Sequence, residues 1–241
     1  MKERIRKIIL FVCVCVFLFS AFQLGKIYYD YYMIEKESAQ LIEDYVTVTD
    51  VNNPEKRKVD FEKLKKQNDD VIGWIYIPDT AIDEPILKGA NNDTYLRTGI
   101  NRKHNAAGCV FIDEINERDF SDDNTIIYGH NMDDGSRFHD LRYFIKQDFF
   151  DEHPYVYIYL PDGSVNVYKN YAISIMSAES DLYAKNIDYT KYVKEAIEGS
   201  KIHIDVDEEE QQPLIMLSAC EKRYGPSRYV LFSRLEKNVK R

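Results

Sequence analysis

Lys2, Arg4, Arg6 and Lys7 stand directly before an apolar run from Ile8 to about Leu24, broken only by Ser20 and Gln23. That run governs where the rest of the chain can fold, because an apolar helix of about 20 residues crosses the hydrocarbon core of a bilayer. Its basic flank stays on the cytoplasmic side, so the remaining chain is expected outside. Tyr28, Tyr29, Tyr31 and Tyr32 follow at the outer end, where amphipathic rings favour the interface. A cleaved signal peptide shares the charged start and apolar core. No small-x-small cleavage site follows, since Ser20 and Ala21 are flanked by Phe19, Phe22 and Gln23. The reading is an uncleaved single-pass anchor over 1–25.

The exported part must hold its own core, and hydrophobic residues make up 44% of the 241-residue chain. A net charge of −9 argues against a nucleic-acid binder, which needs a basic face to displace counterions from phosphates. Of the four cysteines, Cys13 and Cys15 lie inside the apolar run and act there as small hydrophobes. Cys109 and Cys220 remain, and spacing alone leaves open whether they form a disulfide or whether one is a reactive thiol.

Residues 26–59 are charged and rich in tyrosine, which suits a helical stalk broken at Asn52-Asn53-Pro54; a folded domain is expected over 60–241. Phe61 and Leu64 suggest a short amphipathic helix at its start. Strands are expected at Val71–Ile77, Ile82–Leu87, Gly108–Ile112, Asn124–Tyr128, Tyr155–Leu160, Val165–Ser177, Leu214–Ser218 and Arg228–Arg234, with a turn at Pro161-Asp162-Gly163. Helices are expected at Arg137–Phe144 and Tyr189–Gly199, and the acidic run Asp207–Glu210 reads as a solvated loop. Many short strands with few helices point to a mainly β barrel or sandwich.

Cys220 ends an apolar strand and precedes a polar loop, Glu221-Lys222-Arg223-Tyr224-Gly225-Pro226. Arg223 and Arg228 put positive charge nearby in sequence, which favours the nucleophilic thiolate. His130 also stands at a strand end, a setting that His104, His139, His153 and His203 lack, and imidazole is the usual acid–base partner of a thiol. A hairpin through Gly225-Pro226 would bring Arg228 beside Cys220, where a fixed cation can hold an oxyanion. Taken singly, each residue also has an ordinary structural reading. There is no CxxC pair and no HExxH helix, and Asp133-Asp134-Gly135 lacks the later ligands of a calcium loop. Neither a metal nor another cofactor is expected.

Together these segments resemble the sortases, cysteine transpeptidases of Gram-positive cell surfaces, and within them class B. The resemblance covers about Asp69–Leu235. It is carried by Tyr128-Gly129-His130-Asn131-Met132 with Gly135, Phe138 and Leu141, by Leu217-Ser218-Ala219-Cys220-Glu221, and by Arg228-Tyr229-Val230. Val71-Ile72-Gly73-Trp74-Ile75 and Asn92-Asp93-Thr94-Tyr95-Leu96 look like the family's early strand and following loop.

The resemblance implies an eight-stranded β-barrel with N-terminal helices and a helix between strands six and seven, where Tyr189–Gly199 falls. It implies that His130, Cys220 and Arg228 are catalytic, and that Asn92, Leu96, Tyr183, Ser218 and Glu221 contact substrate. Cys109 then reads as a buried passenger. The implied reaction cleaves a C-terminal sorting motif, NPQTN-like or related, after its threonine and joins the surface protein to a peptidoglycan amine. Threonines that the family carries beside the nucleophile are replaced here by Ala219 and Met216, a change expected to bear on groove shape or motif preference. A cell-wall cysteine hydrolase using the same groups, and an anchored binding module with a structural Cys220, are the other readings.

Overall fold

The computed structural model describes residues 2–207, 210–220 and 225–240, with Cys220 described by its backbone alone. The chain divides into two compact units, Met1–Glu37 and Ser38–Arg241. One helix, α1 (Lys2–Tyr45), holds the apolar run and continues past it. It is long and apolar enough to cross a membrane, with a mean hydropathy of 2.6 over its most apolar 18 residues.

The helix expected over 26–59 ends at Tyr45. Val46-Thr47-Val48-Thr49 is β-branched and gives up helix propensity, and Val46–Thr47 instead pairs antiparallel with Lys58–Val59. Between them, Asn53 accepts from the Glu55 amide and caps a short 3₁₀ turn at Pro54–Lys56. Helix α2 (Phe61–Gln67) follows, with the Asp60 side chain accepting from the Lys63 amide and Phe61 and Leu64 buried.

Eight strands form the expected barrel: β1 (Val71–Tyr76), β2 (Asp83–Leu87), β3 (Val110–Ile112), β4 (Asn124–Tyr128), β5 (Tyr155–Tyr159), β6 (Val165–Ser177), β7 (Leu214–Cys220) and β8 (Ser227–Val239). Their order in the sheet is β8-β7-β4-β3-β2-β1-β5-β6, and β6 pairs with β8 to close it. The two-residue strand Ile202–His203 adds to β6 outside the ring. Closure removes the unpaired edges that an open sheet would present. Most neighbours are antiparallel, but β2 with β3 and β4 with β7 run parallel. The β5–β6 hairpin turns through Pro161-Asp162-Gly163, with Gly163 at φ 86° and Asp162 accepting from the Ser164 amide.

Alternation along the strands separates three packing layers. Ile75, Ile127, Ile158, Ile173, Leu217 and Leu231 fill the barrel interior. Trp74, Tyr159 and Val167 face outward and are covered by Leu41, Phe61 and Leu64. Helix α4 (Tyr189–Glu198) lies in the connection between β6 and β7, and Asp188 caps it by accepting from the Lys191 amide. It buries Tyr192, Val193 and Ala196 against Met216, Val230 and Phe232. The other expected helix, Arg137–Phe144, is only a 3₁₀ segment, His139–Tyr143, because Arg137 adopts a left-handed backbone at φ 59°. A short helix α3 (Gln147–Glu152), not anticipated, precedes β5.

The closing seam carries a buried polar relay. Ser233 donates to Asn170 at 2.6 Å, and Asn170 donates to the His153 carbonyl at 2.7 Å. Ser233 and Asn170 are at most 1% exposed, and a pairing irregularity falls between Phe232 and Ser233. Asn170→Ala strands both partners away from water and is expected to cost about 2–3 kcal/mol, read as a lower urea midpoint of the full chain at unchanged slope.

Candidate functional site

The parallel pairing of β4 and β7 sets the site. Tyr128 is level with Ser218 at the end of the ladder, and the Gly129 amide donates to the Ser218 carbonyl at 3.2 Å. His130 and Cys220 each stand two residues further on, at the same end of neighbouring strands. On the opposite side, β7 and β8 run antiparallel with Cys220 directly across from Arg228. Such partners have Cα atoms about 4.5–5.5 Å apart. Gly129 has a steric reason to be glycine: a Cβ there would lie 2.5 Å from the Phe138 ring.

A groove of about 250 Å³ opens here, lined among others by Asn92, Leu96, Tyr128, His130, Tyr183, Ser218 and Arg228. Thus His130 and Arg228 share one groove with four of the residues expected to contact substrate. Glu221, like Arg223 and part of the Asp207–Glu210 run, lies outside the described residues.

His130 is half-buried, and its Nε2 lies 2.8 Å from the Leu96 carbonyl oxygen. A carbonyl only accepts, so Nε2 carries the hydrogen and, in the neutral ring, Nδ1 carries the lone pair. Burial lowers the imidazole's pKa, the Leu96 carbonyl opposes that shift, and the cations Arg97, Arg137 and Arg228 add to it. The resting ring is therefore biased toward neutrality. Arg228 is partly buried, and its Nη1 donates to the carbonyls of Gly225 and Ser227 at 2.9 and 3.1 Å, which fixes the guanidinium over its own turn.

The far wall is a chain of polar contacts. Tyr183 and Ser218 share a hydrogen bond of 2.8 Å, and the Tyr183 ring stacks on Tyr128 with centroids 6.2 Å apart. Tyr128 donates to Asp113 at 2.8 Å, and the Asn92 amide donates to the same carboxylate oxygen at 3.2 Å. Asn92 also accepts from the Glu114 amide at 2.8 Å. Asp113 was not foreseen: it follows β3 as an ordinary turn residue, and only the fold shows it holding two groove residues at once. Burial and Asp113 together push the Tyr128 hydroxyl's pKa far upward, so it remains a donor.

The two unusual neighbours of Cys220 do not line the groove. Met216 packs beneath α4 and Ala219 in the barrel interior, both buried. Cys109 is 5% exposed, and its thiol lies 3.3 Å from the Thr98 carbonyl oxygen.

A family model described as Sortase domain matches residues 75–236. Sortase B of Listeria monocytogenes is 32% identical over 97% of this chain and 98% of its own length. Sortase B of Staphylococcus aureus is 31% identical over 68% of this chain and 69% of its own length. The crystal structure of sortase B from B. anthracis superimposes with a TM-score of 0.71 at 27% identity, covering 89% of this chain and all of that one.

A folded-state pKa below the ordinary 6.5 means that the unfolded chain binds the proton more readily. Stability linked to His130 is therefore fully present above pH 6.5 and lost progressively as pH falls from there through the lower folded-state value. The His130 ring signals in an NMR titration are expected to show a midpoint below 6.5, moving up in Arg97→Met. A midpoint at or above 6.5 contradicts the burial described.

Proposed function

This chain belongs to the sortase family, in its class B, and from that premise we propose that Cys220 is the nucleophile, His130 the acid–base group and Arg228 the oxyanion holder of its groove. As a sortase it is a cysteine transpeptidase acting on proteins that carry a sorting motif. The observation that carries the assignment is the double register of β7: its parallel ladder ends with Ser218 beside Tyr128, two residues before Cys220 and His130 alike, and its antiparallel ladder sets the Cys220 backbone across from Arg228.

In this reading the thiol of Cys220 attacks the carbonyl of the motif's threonine while Nδ1 of neutral His130 takes the thiol proton. Arg228 faces the oxygen on which negative charge develops. The tetrahedral intermediate collapses to a thioester as His130 returns the proton to the departing amine. An amine of the peptidoglycan precursor then attacks the thioester, gives up a proton to His130, and leaves Cys220 as the thiol. Asn92, Leu96, Tyr183, Ser218 and Glu221 hold the peptide, which we take to be NPQTN-like or a related motif. The depressed pKa of His130 supports this order of events, because a base must begin unprotonated.

Residues 1–25 serve as the membrane anchor with the N-terminus cytoplasmic, 26–59 as the stalk, and 60–241 as the extracellular catalytic domain. The basic start and the apolar part of α1 support that topology.

The test uses the full chain in detergent with an NPQTN-containing peptide, an LPxTG-containing peptide, and an added amine. A peptide thioester on Cys220 and an amine-dependent product are expected by mass spectrometry. Cys220→Ala should abolish both, His130→Ala should lower the rate about 10²–10⁴-fold, and Arg228→Lys, which loses the planar fork, about 10²-fold. Cleavage that survives in Cys220→Ala sinks the assignment. Release of free acid regardless of amine would favour the hydrolase.

A further inference from the structure

Resting on the acid–base reading of His130, we propose that Arg137 is a positioning residue for that ring, acting through a buried contact set with Glu84 and Ser38. Arg137 and Glu84 are ion-paired with side chains only 3% and 5% exposed. Nη1 of Arg137 also donates to the Ser38 hydroxyl at 3.0 Å, and that hydroxyl donates to Glu84 at 3.1 Å. The other side of the guanidinium donates twice to one acceptor, the Gly108 carbonyl, from Nε at 3.1 Å and Nη2 at 3.0 Å.

Those contacts stand behind both features that orient His130. Gly108, at φ 55°, is pressed against the Tyr95–Leu96 backbone so closely that a Cβ would lie 2.4 and 2.6 Å from their carbonyl oxygens. The Leu96 carbonyl is the acceptor for Nε2 of His130. The backbone of Arg137 also closes the loop that leaves His130: it forms a β-bridge with Asn131, and the next amide, Phe138, donates to the His130 carbonyl at 2.9 Å. One residue thus fixes both, closing through its backbone the loop on which the imidazole is mounted and holding through its side chain the Gly108 turn that presses on the segment whose carbonyl selects the tautomer.

Two observations separate this from ordinary packing. Arg137 holds a left-handed backbone that an arginine adopts only under constraint from its surroundings. A buried ion pair is also a poor source of net stability compared with apolar residues of the same volume, so its presence calls for a geometric role. Lysine cannot reproduce it, because a single ammonium lacks the fork that reaches Gly108 on one side and Glu84 with Ser38 on the other.

The test is made on the full chain in detergent, with Arg137→Lys and Glu84→Gln. Each is expected to lower kcat on the order of 10- to 100-fold, as small misplacements of a reacting group do, with KM within about twofold of native by the same reasoning. In parallel, ¹⁵N spectra of histidine-labelled protein should show His130 losing its single Nε2–H tautomer. If Arg137→Lys does not fold, Glu84→Gln carries the comparison, since glutamine retains an acceptor for the guanidinium. A folded variant with native kcat and an unchanged Nε2–H signal overturns the inference, as does a loss confined to KM. Native activity in His130→Ala would instead remove the acid–base reading, and the Nε2–H signal in Arg137→Lys would still decide whether Arg137 positions the ring.

Discussion

Strand β7 is bonded on both sides, parallel to β4 and antiparallel to β8, and the groove depends on that double constraint. In a sheet, a one-residue slip turns every side chain to the opposite face. Here a slip would drive Leu217 and Ala219 out of the interior and Met216 away from α4. The register at Cys220 is thus enforced by apolar packing along the strand behind it. Because β6 closes onto β8, Arg228 is in turn held by a strand paired along most of its length.

Around that fixed end, the protein buries polar groups in connected sets. Asp113 serves Tyr128 and Asn92, Tyr183 serves Ser218, and Arg137 serves Glu84, Ser38 and Gly108. Each set satisfies groups whose isolation from water would be costly. The common effect is to fix directions, since a planar guanidinium or a shared carboxylate oxygen accepts only a narrow range of partner positions. His130 shows the electrostatic side of the arrangement: its burial and cationic surroundings bias the ring toward neutrality, while the Leu96 carbonyl fixes which nitrogen bears the hydrogen.

Strands with dense β-branched and aromatic content were legible from the chain alone, and the limits of β4 and β6 coincide with those expected. Strand β8 runs on to Val239, past the expected Arg234, because Leu235, Lys237 and Asn238 are held by pairing with the first half of β6. Nothing local in that polar tail signals a strand. The stalk helix stopped short for a similar reason, since Val46–Thr47 found a partner in Lys58–Val59. Tyr183 shows the same limit at the site: its loop has no periodicity, and only the closed barrel brings its hydroxyl to Ser218. Arg137 reads as a surface charge opening an expected helix and Asp113 as one following a strand, and their burial is a property of the assembled fold. His130 and Arg228 carried a signal because each stands at the end of an apolar strand within a family-like segment.

The parallel pairing of β4 with β7 has a consequence for how the protein comes into being. Parallel neighbours need a long crossover, and here it includes β5, β6 and α4, so contacts at the groove join residues far apart in sequence. Contacts of that kind form late, after loop-closure entropy has been overcome. A chain emerging N-terminus first carries His130 long before Cys220, and Arg228 arrives with the final strand. The end of β7 therefore gains both of its neighbouring strands only when β8 closes the ring, and an incomplete chain has no assembled groove.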